Sequence, residues 1–209
     1  MSEKETLIKR LIEEGYLKTP SIIKAMKKVK REIFMPKEYR KYAYVDKPFP
    51  IPPFTAQTIS APHMYAITYE VLMLKKGEKF LEVGTGSGYG AALAREIVGE
   101  NGVVVSIEIQ KETYEFAKEN LKKAAYKDII LVNGDGKEGY PPYAPYDKIC
   151  VTAAASSVPE ALINQLKDGG KLIIPLGMPE STQKLVLLEK SKNKIKQKFI
   201  TYVAYVPMI

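Results

Sequence analysis

The sequence predicts an α/β protein built on a Rossmann-like, doubly wound sheet. From residue 79 onward, apolar segments suited to strands alternate with segments of helical periodicity. These strands show no clean alternation of polar and apolar residues, which is typical of parallel strands covered on both faces. Residues 79–91, KFLEVGTGSGYGA, contain the first of these strands and a glycine-rich loop that opens onto a helix. A length of 209 residues suits one such domain with small additions.

A small helical segment is predicted ahead of the sheet. Ser2 and Glu5 have the spacing of a capping box, which predicts a helix that ends at Gly15. Pro20, after Thr19, is suited to the first position of a second helix. Five prolines within 46–62 then predict an extended chain, which we interpret as either a wall of an active site or a linker.

The remaining elements follow in regular order. Parallel strands are predicted at 79–83, 103–107, 129–132, 147–152 and 171–175. Helices are predicted at 88–98, 111–125 and 158–167, the last ended by two glycines at 169–170. Two longer strands, near 184–190 and 197–207 with a polar turn at 191–194, predict a C-terminal antiparallel hairpin.

The glycine loop is the first indication of a ligand. Gly84, Gly86 and Gly88 let the backbone lie against a ligand at a helix N-terminus, which favours a nucleoside-containing cofactor. The third glycine of a dinucleotide G-x-G-x-x-G motif would fall at Tyr89. The observed G-x-G-x-G spacing therefore favours S-adenosylmethionine over a pyrophosphate-containing cofactor.

Acidic residues follow the predicted strands. Glu108 ends the second strand, where a carboxylate accepts ribose hydroxyls in NAD and S-adenosylmethionine sites alike; a plain helix-start carboxylate is the alternative. Asp135 is predicted to face the adenine amino group, although Asn-Gly and Asp-Gly are also ordinary turn residues. Glu82 is predicted to organise the site near the ligand's ammonium group, with a structural role as the alternative.

Other chemistry-bearing residues are few. His63 is the single histidine, and we interpret it as a positioning residue rather than a general base. Cys150 lies in an apolar strand and is interpreted as a buried structural thiol. The fourth strand is followed by VTAAASSVP, which offers neither the motif of DNA N-methylation nor a carboxylate cluster for Mg²⁺, so no metal is expected.

Composition favours a cytoplasmic protein. The net charge of +8 could attract nucleic acid, but the lysines are spread along the whole chain, so we favour a solvated surface and no dedicated nucleic-acid partner. The N-terminus does not have the pattern of a signal peptide, and no apolar run approaches the roughly 20 residues that span a bilayer. One cysteine excludes an internal disulfide.

One segment resembles a specific family. Residues 57–64, QTISAPHM, closely resemble the signature that precedes the cofactor domain in protein-L-isoaspartate O-methyltransferases. The likeness continues through LEVGTGSGYGAALA, NGDGKEGYPPYAPYDKICVTAAA, VPEALINQLKDGGKLIIPLG and VAYVPM, and covers nearly the whole chain. It implies a class I S-adenosylmethionine-dependent methyltransferase, with N-terminal helices and a substrate-site segment at 1–60, a methyltransferase domain at 61–209, and one globular unit overall.

The resemblance also implies roles for individual residues. The family's active-site serine falls on Ser60, which would bind and orient the substrate together with His63. The residues implied to contact S-adenosylmethionine are Thr58, Ile59, Glu82, Gly84, Thr85, Gly86, Ser87, Gly88, Glu108, Asp135 and Gly136. The terminal residues implied to dock substrate backbone by strand addition are Val203, Ala204, Tyr205 and Val206.

The implied reaction methylates the free α-carboxylate of L-isoaspartyl residues in damaged proteins and peptides, yielding S-adenosylhomocysteine. The methyl ester then cyclises to a succinimide, which reopens partly to normal aspartate. A carboxylate with a pKa near 4 is ionised at neutral pH, so this reaction requires no general base. We expect a monomer.

Two departures from the family pattern affect closure over the substrate. Residues 54–56 stand where many relatives place a glycine, and relatives often continue past the position of Ile209 with a tail that covers the site. The alternatives left open are an RNA methyltransferase, a non-enzymatic S-adenosylmethionine-binding module and an NAD oxidoreductase.

Overall fold

The chain forms a seven-stranded mixed sheet with helices on its faces and a two-stranded ladder beside it. The computed structural model describes residues 2–178, 181–192 and 194–209. The helices are α1 (Glu3–Glu13), α2 (Pro20–Lys28), α3 (Pro62–Leu72), α4 (Tyr89–Val98), α5 (Lys111–Lys123) and α6 (Glu160–Gln165). The strands are β1 (Phe49–Pro50), β2 (Thr58–Ile59), β3 (Lys79–Val83), β4 (Val103–Glu108), β5 (Ile130–Asn133), β6 (Tyr146–Val151), β7 (Leu166–Leu176), β8 (Gln183–Ser191) and β9 (Lys194–Val203).

The order of strands across the sheet is β5-β4-β3-β6-β7-β8-β9. The first five are parallel, whereas β8 and β9 add as antiparallel neighbours of β7. From β3 the chain first builds outward through β4 and β5, and then returns to place β6 on the other side. A crevice forms at such a reversal, outside the carboxyl ends of the strands. The predicted Rossmann-like class and C-terminal hairpin are confirmed.

The prediction around residues 158–170 was wrong in part. The helix expected at 158–167 spans only Glu160–Gln165, and Leu166 already pairs with Tyr146 as the start of β7. Gly169 and Gly170 lie inside that strand rather than ending a helix. A Cβ on Gly170 would lie 3.1 Å from the carbonyl oxygen of Asp147, so glycine permits the close approach at the register shift between β6 and β7.

The end of the chain also differs from the prediction. The last strand was expected near 197–207, but β9 ends at Val203. Beyond it, Pro207 forms an isolated parallel bridge with Ala154, and Met208 N–H donates to the Ala154 carbonyl at 2.8 Å. Asn193, in the predicted turn at 191–194, lies outside the described residues. The terminal segment therefore crosses the carboxyl edge of the sheet instead of extending its last strand.

The N-terminal segment packs directly on the sheet domain. The predicted capping box is confirmed, since Ser2 N–H donates to the Glu5 carboxylate at 2.7 Å and Glu5 N–H donates to Ser2 Oγ at 3.3 Å. The stretch 46–62 is not extended throughout: Phe49–Pro50 pairs with Thr58–Ile59, so the chain folds back on itself. It lines the cavity described below and is a wall rather than a linker.

The hydrophobic core is continuous between the two parts of the chain. Leu11, Phe34 and Ile59 belong to the same buried cluster as Phe80 and Leu93 of the sheet domain. A second cluster fills the opposite face of the sheet, with Leu162 from α6 among its members. Cys150 is buried, as predicted. None of the described helices has both the length and the apolar character that a membrane crossing requires.

Candidate active site

A cavity of about 690 Å³ opens at the carboxyl edge of the sheet, beyond the ends of the neighbouring strands β4, β3 and β6. This volume lies within the usual range for small-molecule sites. Its walls come from separate stretches of the chain: residues in 48–65, the loop at 82–87, residues at 107–110 with Gly136, Thr152 with Ala153, and the terminal residues 202–209. The position is the one at which open α/β sheets bind their ligands.

The glycine loop after β3 is fixed to the end of β4. Gly84 has a φ of 94°, and a Cβ at this position would lie 2.3 Å from Thr152 Oγ1. The N–H groups of Gly84 and Thr85 both donate to the carbonyl of Ile107, at 2.9 and 3.1 Å. The loop thus passes close to the neighbouring strand ends, which requires glycine at 84.

Glu108 presents a buried carboxylate to the cavity. Its oxygens accept N–H groups from Gly86 at 2.9 Å and from Gln110 at 3.1 Å. Burial raises the pKa of Glu108, and the backbone donors partly oppose that rise. Each carboxylate oxygen can accept a further hydrogen bond, so the residue is able to hold a pair of ribose hydroxyls.

Glu82 is almost completely buried at the floor of the cavity. Its carboxylate accepts the hydroxyl of Ser106 at 2.6 Å, and Ser106 lies 2.7 Å from the hydroxyl of Thr85. Burial raises the pKa of Glu82 to about 8. A Cβ on Gly90 would lie 2.1 Å from Glu82 Oε1, so glycine at 90 leaves the space that this carboxylate occupies.

Ser60 lines the opposite wall of the cavity. Its carbonyl accepts a hydrogen bond from the guanidinium of Arg31 at 3.0 Å. Tyr205 lines the same cavity, and burial raises the pKa of its phenol well above the ordinary value although Ser60 opposes the rise. Burial likewise raises the pKa of Tyr65. Both phenols are therefore neutral at physiological pH.

His63 is oriented by Asp46. The backbone N–H and ring Nδ1 of His63 lie 2.9 and 3.0 Å from Asp46 Oδ1, and Arg10 pairs with the other carboxylate oxygen at 3.2 Å. Burial tends to raise the pKa of Asp46, but the hydrogen bonds from His63 and the charge of Arg10 hold it below its usual value. The imidazole lines the cavity in a fixed orientation.

The cavity brings together all but three of the residues that the sequence singled out. Ile59 is fully buried in the core cluster instead. Gly88, with a φ of 87°, stands at the start of α4, where a Cβ would lie 3.1 Å from Leu121. Asp135 caps the short helix at Gly136–Glu138, its carboxylate accepting Lys137 N–H at 2.9 Å. The contact between Asp135 and adenine stays a prediction.

Some cavity residues lay outside the predicted set. Thr152 and Ala153 line the cavity directly after β6, and Gln110 does so after β4. Their position just beyond a parallel strand was a usable signal, because ligands bind at that edge. Arg31 donates a hydrogen bond to the Ser60 carbonyl but carried no comparable signal, because it belongs to no motif and lies far from Ser60 in the sequence.

Within the described ranges, no group of three or more histidine, cysteine, aspartate or glutamate side chains is arranged to hold a metal ion. The cavity does fit a nucleoside-containing ligand. Glycine at 84 keeps the loop free of side chains there, and a Cβ on Gly136 would lie 2.2 Å from Val83, so the backbone comes close at that point too. Glu108 offers the buried acceptor that ribose hydroxyls need.

The chain is similar to known protein-L-isoaspartate O-methyltransferases in sequence and in structure. The chain is 49% identical over 207 residues to a protein-L-isoaspartate O-methyltransferase of Ignicoccus hospitalis, covering 99% of this chain and 97% of the relative. One solved protein-L-isoaspartate O-methyltransferase matches with a TM-score of 0.89 and 33% identity, covering 98% of this chain and 65% of that one. A structure from Plasmodium falciparum, proposed to be the same enzyme and solved with S-adenosyl-L-homocysteine, matches with a TM-score of 0.87 and 27% identity over 100% of this chain and 99% of its own.

The family model for protein-L-isoaspartate(D-aspartate) O-methyltransferase matches residues 2–209. That match includes the helices ahead of the sheet, the glycine loop and the terminal segment that closes the cavity. The chain belongs to the protein-L-isoaspartate(D-aspartate) O-methyltransferase family.

Proposed function

We propose that this cavity transfers a methyl group from S-adenosylmethionine to the free α-carboxylate of L-isoaspartyl residues in damaged proteins and peptides. The observation that carries the proposal is the placement of Ser60 and Glu108 on the walls of one cavity. Ser60 lies in the segment that resembles the family signature, and Glu108 stands at the ribose position of the sheet edge. Donor and acceptor sites therefore share one space.

The cofactor end consists of the glycine loop, Glu108, Glu82 and Gly136. The loop backbone provides a surface free of side chains at Gly84 and Gly86, and Glu108 accepts the ribose hydroxyls. Thr58, Thr85 and Ser87 complete this wall. When bound, S-adenosylmethionine supplies an electrophilic sulfonium methyl group. Holding donor and acceptor in line is worth roughly 7–11 kcal/mol of the barrier, and it is the protein's main contribution.

The acceptor end consists of Ser60 and His63, with the neutral phenols of Tyr65 and Tyr205 beside them. The acceptor carboxylate enters ionised, so no residue has to remove a proton. Ser60 donates one hydrogen bond that orients the carboxylate and leaves the second oxygen free to attack. His63, held by Asp46, forms the side of the pocket. The resulting ester cyclises to a succinimide, which reopens partly to normal aspartate.

The segment at 203–206 is the proposed dock for the acceptor's backbone, and all four residues line the cavity. Several of its peptide groups are already engaged. Tyr205 N–H donates to the Gln183 side chain at 2.7 Å, and the Tyr205 carbonyl accepts from that side chain at 3.4 Å. The Val206 carbonyl accepts Ala154 N–H at 2.7 Å, and Val203 pairs with Gln183 in the sheet. Strand addition must therefore use the remaining groups of this segment. We further propose that the enzyme acts as a monomer in the cytoplasm, with isoaspartyl polypeptides as its partners and no dedicated nucleic acid.

The test offers labelled S-adenosylmethionine with two matched peptides that differ only in carrying an isoaspartyl or an aspartyl residue. We expect label on the isoaspartyl peptide alone. Ser60→Ala should lower kcat by roughly 10- to 100-fold, because it removes a hydrogen-bond donor that orients the acceptor. Affinity for S-adenosylhomocysteine, measured by calorimetry, should stay unchanged.

Two results would contradict the proposal. Equal labelling of both peptides, or label on neither while RNA binds in a salt-sensitive way, would indicate another methyltransferase class. Unchanged turnover in Ser60→Ala would remove Ser60 from the reaction while leaving the activity itself in place.

A further inference from the structure

Arg31 is a buried cation that forms no ion pair with any described carboxylate. The side chain is 1% exposed, in the short helix at Arg31–Phe34. Its guanidinium donates to three neutral backbone carbonyls: Ala43 at 2.6 Å, Ser60 at 3.0 Å and Lys47 at 3.1 Å. Its Nε is buried without a hydrogen-bond partner. Burying such a charge is unfavourable unless an anion compensates it.

The nearby acidic residues are engaged elsewhere. Asp46 pairs with Arg10 and His63, and Glu32 accepts the phenol of Tyr44. Burial lowers the pKa of Arg31, and Tyr65, Tyr89 and Asp46 oppose that change. A guanidinium nevertheless stays protonated inside proteins. The fold thus maintains a positive charge that forms no ion pair with a described carboxylate and that Asp46 offsets only from beyond ion-pair distance.

The location of this charge points to the acceptor. One of its three carbonyl partners belongs to Ser60, and Ser60 is a residue that lines the cavity. The guanidinium itself is not among the cavity-lining groups and therefore lies one peptide group behind the wall. An acceptor carboxylate bound at Ser60 would add a second anion near the guanidinium, close to it but not in contact with it.

We propose that Arg31 is a positioning residue for the acceptor, which fixes the Ser60 peptide and attracts the acceptor carboxylate by its buried charge. This inference rests on the proposed function, because it needs an anionic acceptor at Ser60. Its chemistry suits a nucleophilic carboxylate. A directly bound arginine would engage both oxygens and weaken the attacking one. A charge behind the wall strengthens binding and leaves one oxygen free.

Arg95 provides a matched control within the same chain. It is also buried, and its Nη2 also has no hydrogen-bond partner. It lies in α4, donates to the Gly102 carbonyl at 3.1 Å and pairs with Asp128 at 3.4 Å. None of these contacts touches the cavity wall. Replacing Arg95 therefore reports the general cost of losing a buried guanidinium.

The experiment compares Arg31→Met, Arg31→Lys and Arg95→Met with the wild-type chain. It measures kcat and KM with an isoaspartyl peptide, S-adenosylhomocysteine affinity by calorimetry, and the melting temperature. We expect Arg31→Met to raise the peptide KM about tenfold or more and Arg31→Lys to restore it within about twofold. Arg31→Lys should still lower kcat about tenfold, because an ammonium cannot hold three carbonyls in the geometry of a planar fork. Arg95→Met should lower the melting temperature and leave both kinetic constants unchanged.

A second measurement isolates the charge. Binding is compared between the isoaspartyl peptide and its α-carboxamide analogue, in the presence of S-adenosylhomocysteine. The wild-type chain should prefer the carboxylate by about tenfold, and Arg31→Met should lose most of that preference. If Arg31→Met does not fold, the proposal is tested by whether Arg31→Lys lowers kcat as expected.

Some results would overturn the proposal. An Arg31→Met variant with wild-type KM and carboxylate preference would overturn it, as would an Arg31→Lys variant with wild-type kcat. Loss of S-adenosylhomocysteine affinity in parallel with peptide affinity would indicate a purely structural role. The proposed function is tested separately, since it fails only if the wild-type chain does not distinguish isoaspartyl from aspartyl peptides.

Discussion

At the scale of single residues, Glu82 couples the site to pH. The carboxylate is buried and its pKa is raised to about 8, so it is largely protonated at neutral pH in the unliganded protein. The unfolded chain has an ordinary glutamate that ionises near 4.5. The stability that this shift contributes is complete below that value, and it is lost as pH rises toward 8.

Glu82→Gln should therefore remove part of the pH dependence of stability. Between about pH 5 and pH 8, the wild-type chain should lose about 1.4 kcal/mol per pH unit relative to the variant, because only the wild type must keep a proton on Glu82. Denaturant unfolding at several pH values measures the difference. Parallel curves for the two proteins would mean that Glu82 ionises with an ordinary pKa.

Single site residues were predictable where a motif fixed their position relative to a strand end. Glu108 was predicted from the end of its strand, Ser60 was implied by the family signature at 57–64, and both line the cavity. Side-chain direction was not predictable: Ile59 points into the core, and Asp135 caps a short helix. Arg31 was beyond prediction, because its role depends on three carbonyls that come together only in the folded chain.

At the scale of elements, the loop between β3 and α4 depends on glycine for two separate reasons. Gly84 has a φ of 94°, which a residue with a Cβ adopts at a cost. It also leaves no room for a Cβ, which would lie 2.3 Å from Thr152 Oγ1. Gly77 has a similar φ of 83°, but no atom lies within 4 Å of its virtual Cβ. Comparing an alanine at Gly77 with one at Gly84 therefore separates the cost of backbone strain from the cost of steric crowding.

Gly77→Ala should destabilise the fold by roughly 1–2 kcal/mol through backbone strain alone, with ligand affinity unchanged. Gly84→Ala should cost roughly 2–4 kcal/mol and weaken S-adenosylhomocysteine binding, because the loop has to move away from Thr152. Thermal unfolding and calorimetry measure both effects. Equal losses in the two variants would show that crowding by Thr152 contributes nothing.

Elements were predictable where apolar runs and capping residues agreed. The strand at 79–83 was predicted with its observed bounds, and the capping box of α1 is present. The prediction was wrong where glycines served packing rather than termination, as in β7, where Gly169 and Gly170 lie within the strand. Proline-rich residues 46–62 fold back because Phe49–Pro50 pairs with Thr58–Ile59, a contact that local sequence does not specify.

At the scale of the whole molecule, we propose that 1–60 and 61–209 fold as one unit. The core that contains Leu11 and Phe34 also contains Phe80 and Leu93. The cavity likewise takes walls from both parts. Neither part buries its apolar surface without the other, which favours a single cooperative transition.

Calorimetry should accordingly record one unfolding transition. S-adenosylhomocysteine at about one hundred times its Kd should add about 2.7 kcal/mol, which raises the melting temperature by roughly 5–10 °C for a chain of this size. The control is adenosine alone, which lacks the amino acid portion. Two transitions, with only one moved by the ligand, would contradict a single unit.

The bridge between Pro207 and Ala154 ties the enclosure of the site to the terminal segment. Residues 202–209 supply one wall of the cavity, and this bridge and the hydrogen bond from Met208 to Ala154 hold that segment at the edge of the sheet. A chain in which the segment is displaced keeps the glycine loop and Glu108 as a cofactor surface but has no enclosed space for an acceptor. The two halves of the reaction thus depend on different parts of the fold, because the donor surface belongs to the sheet and the acceptor space is closed by the terminal wall.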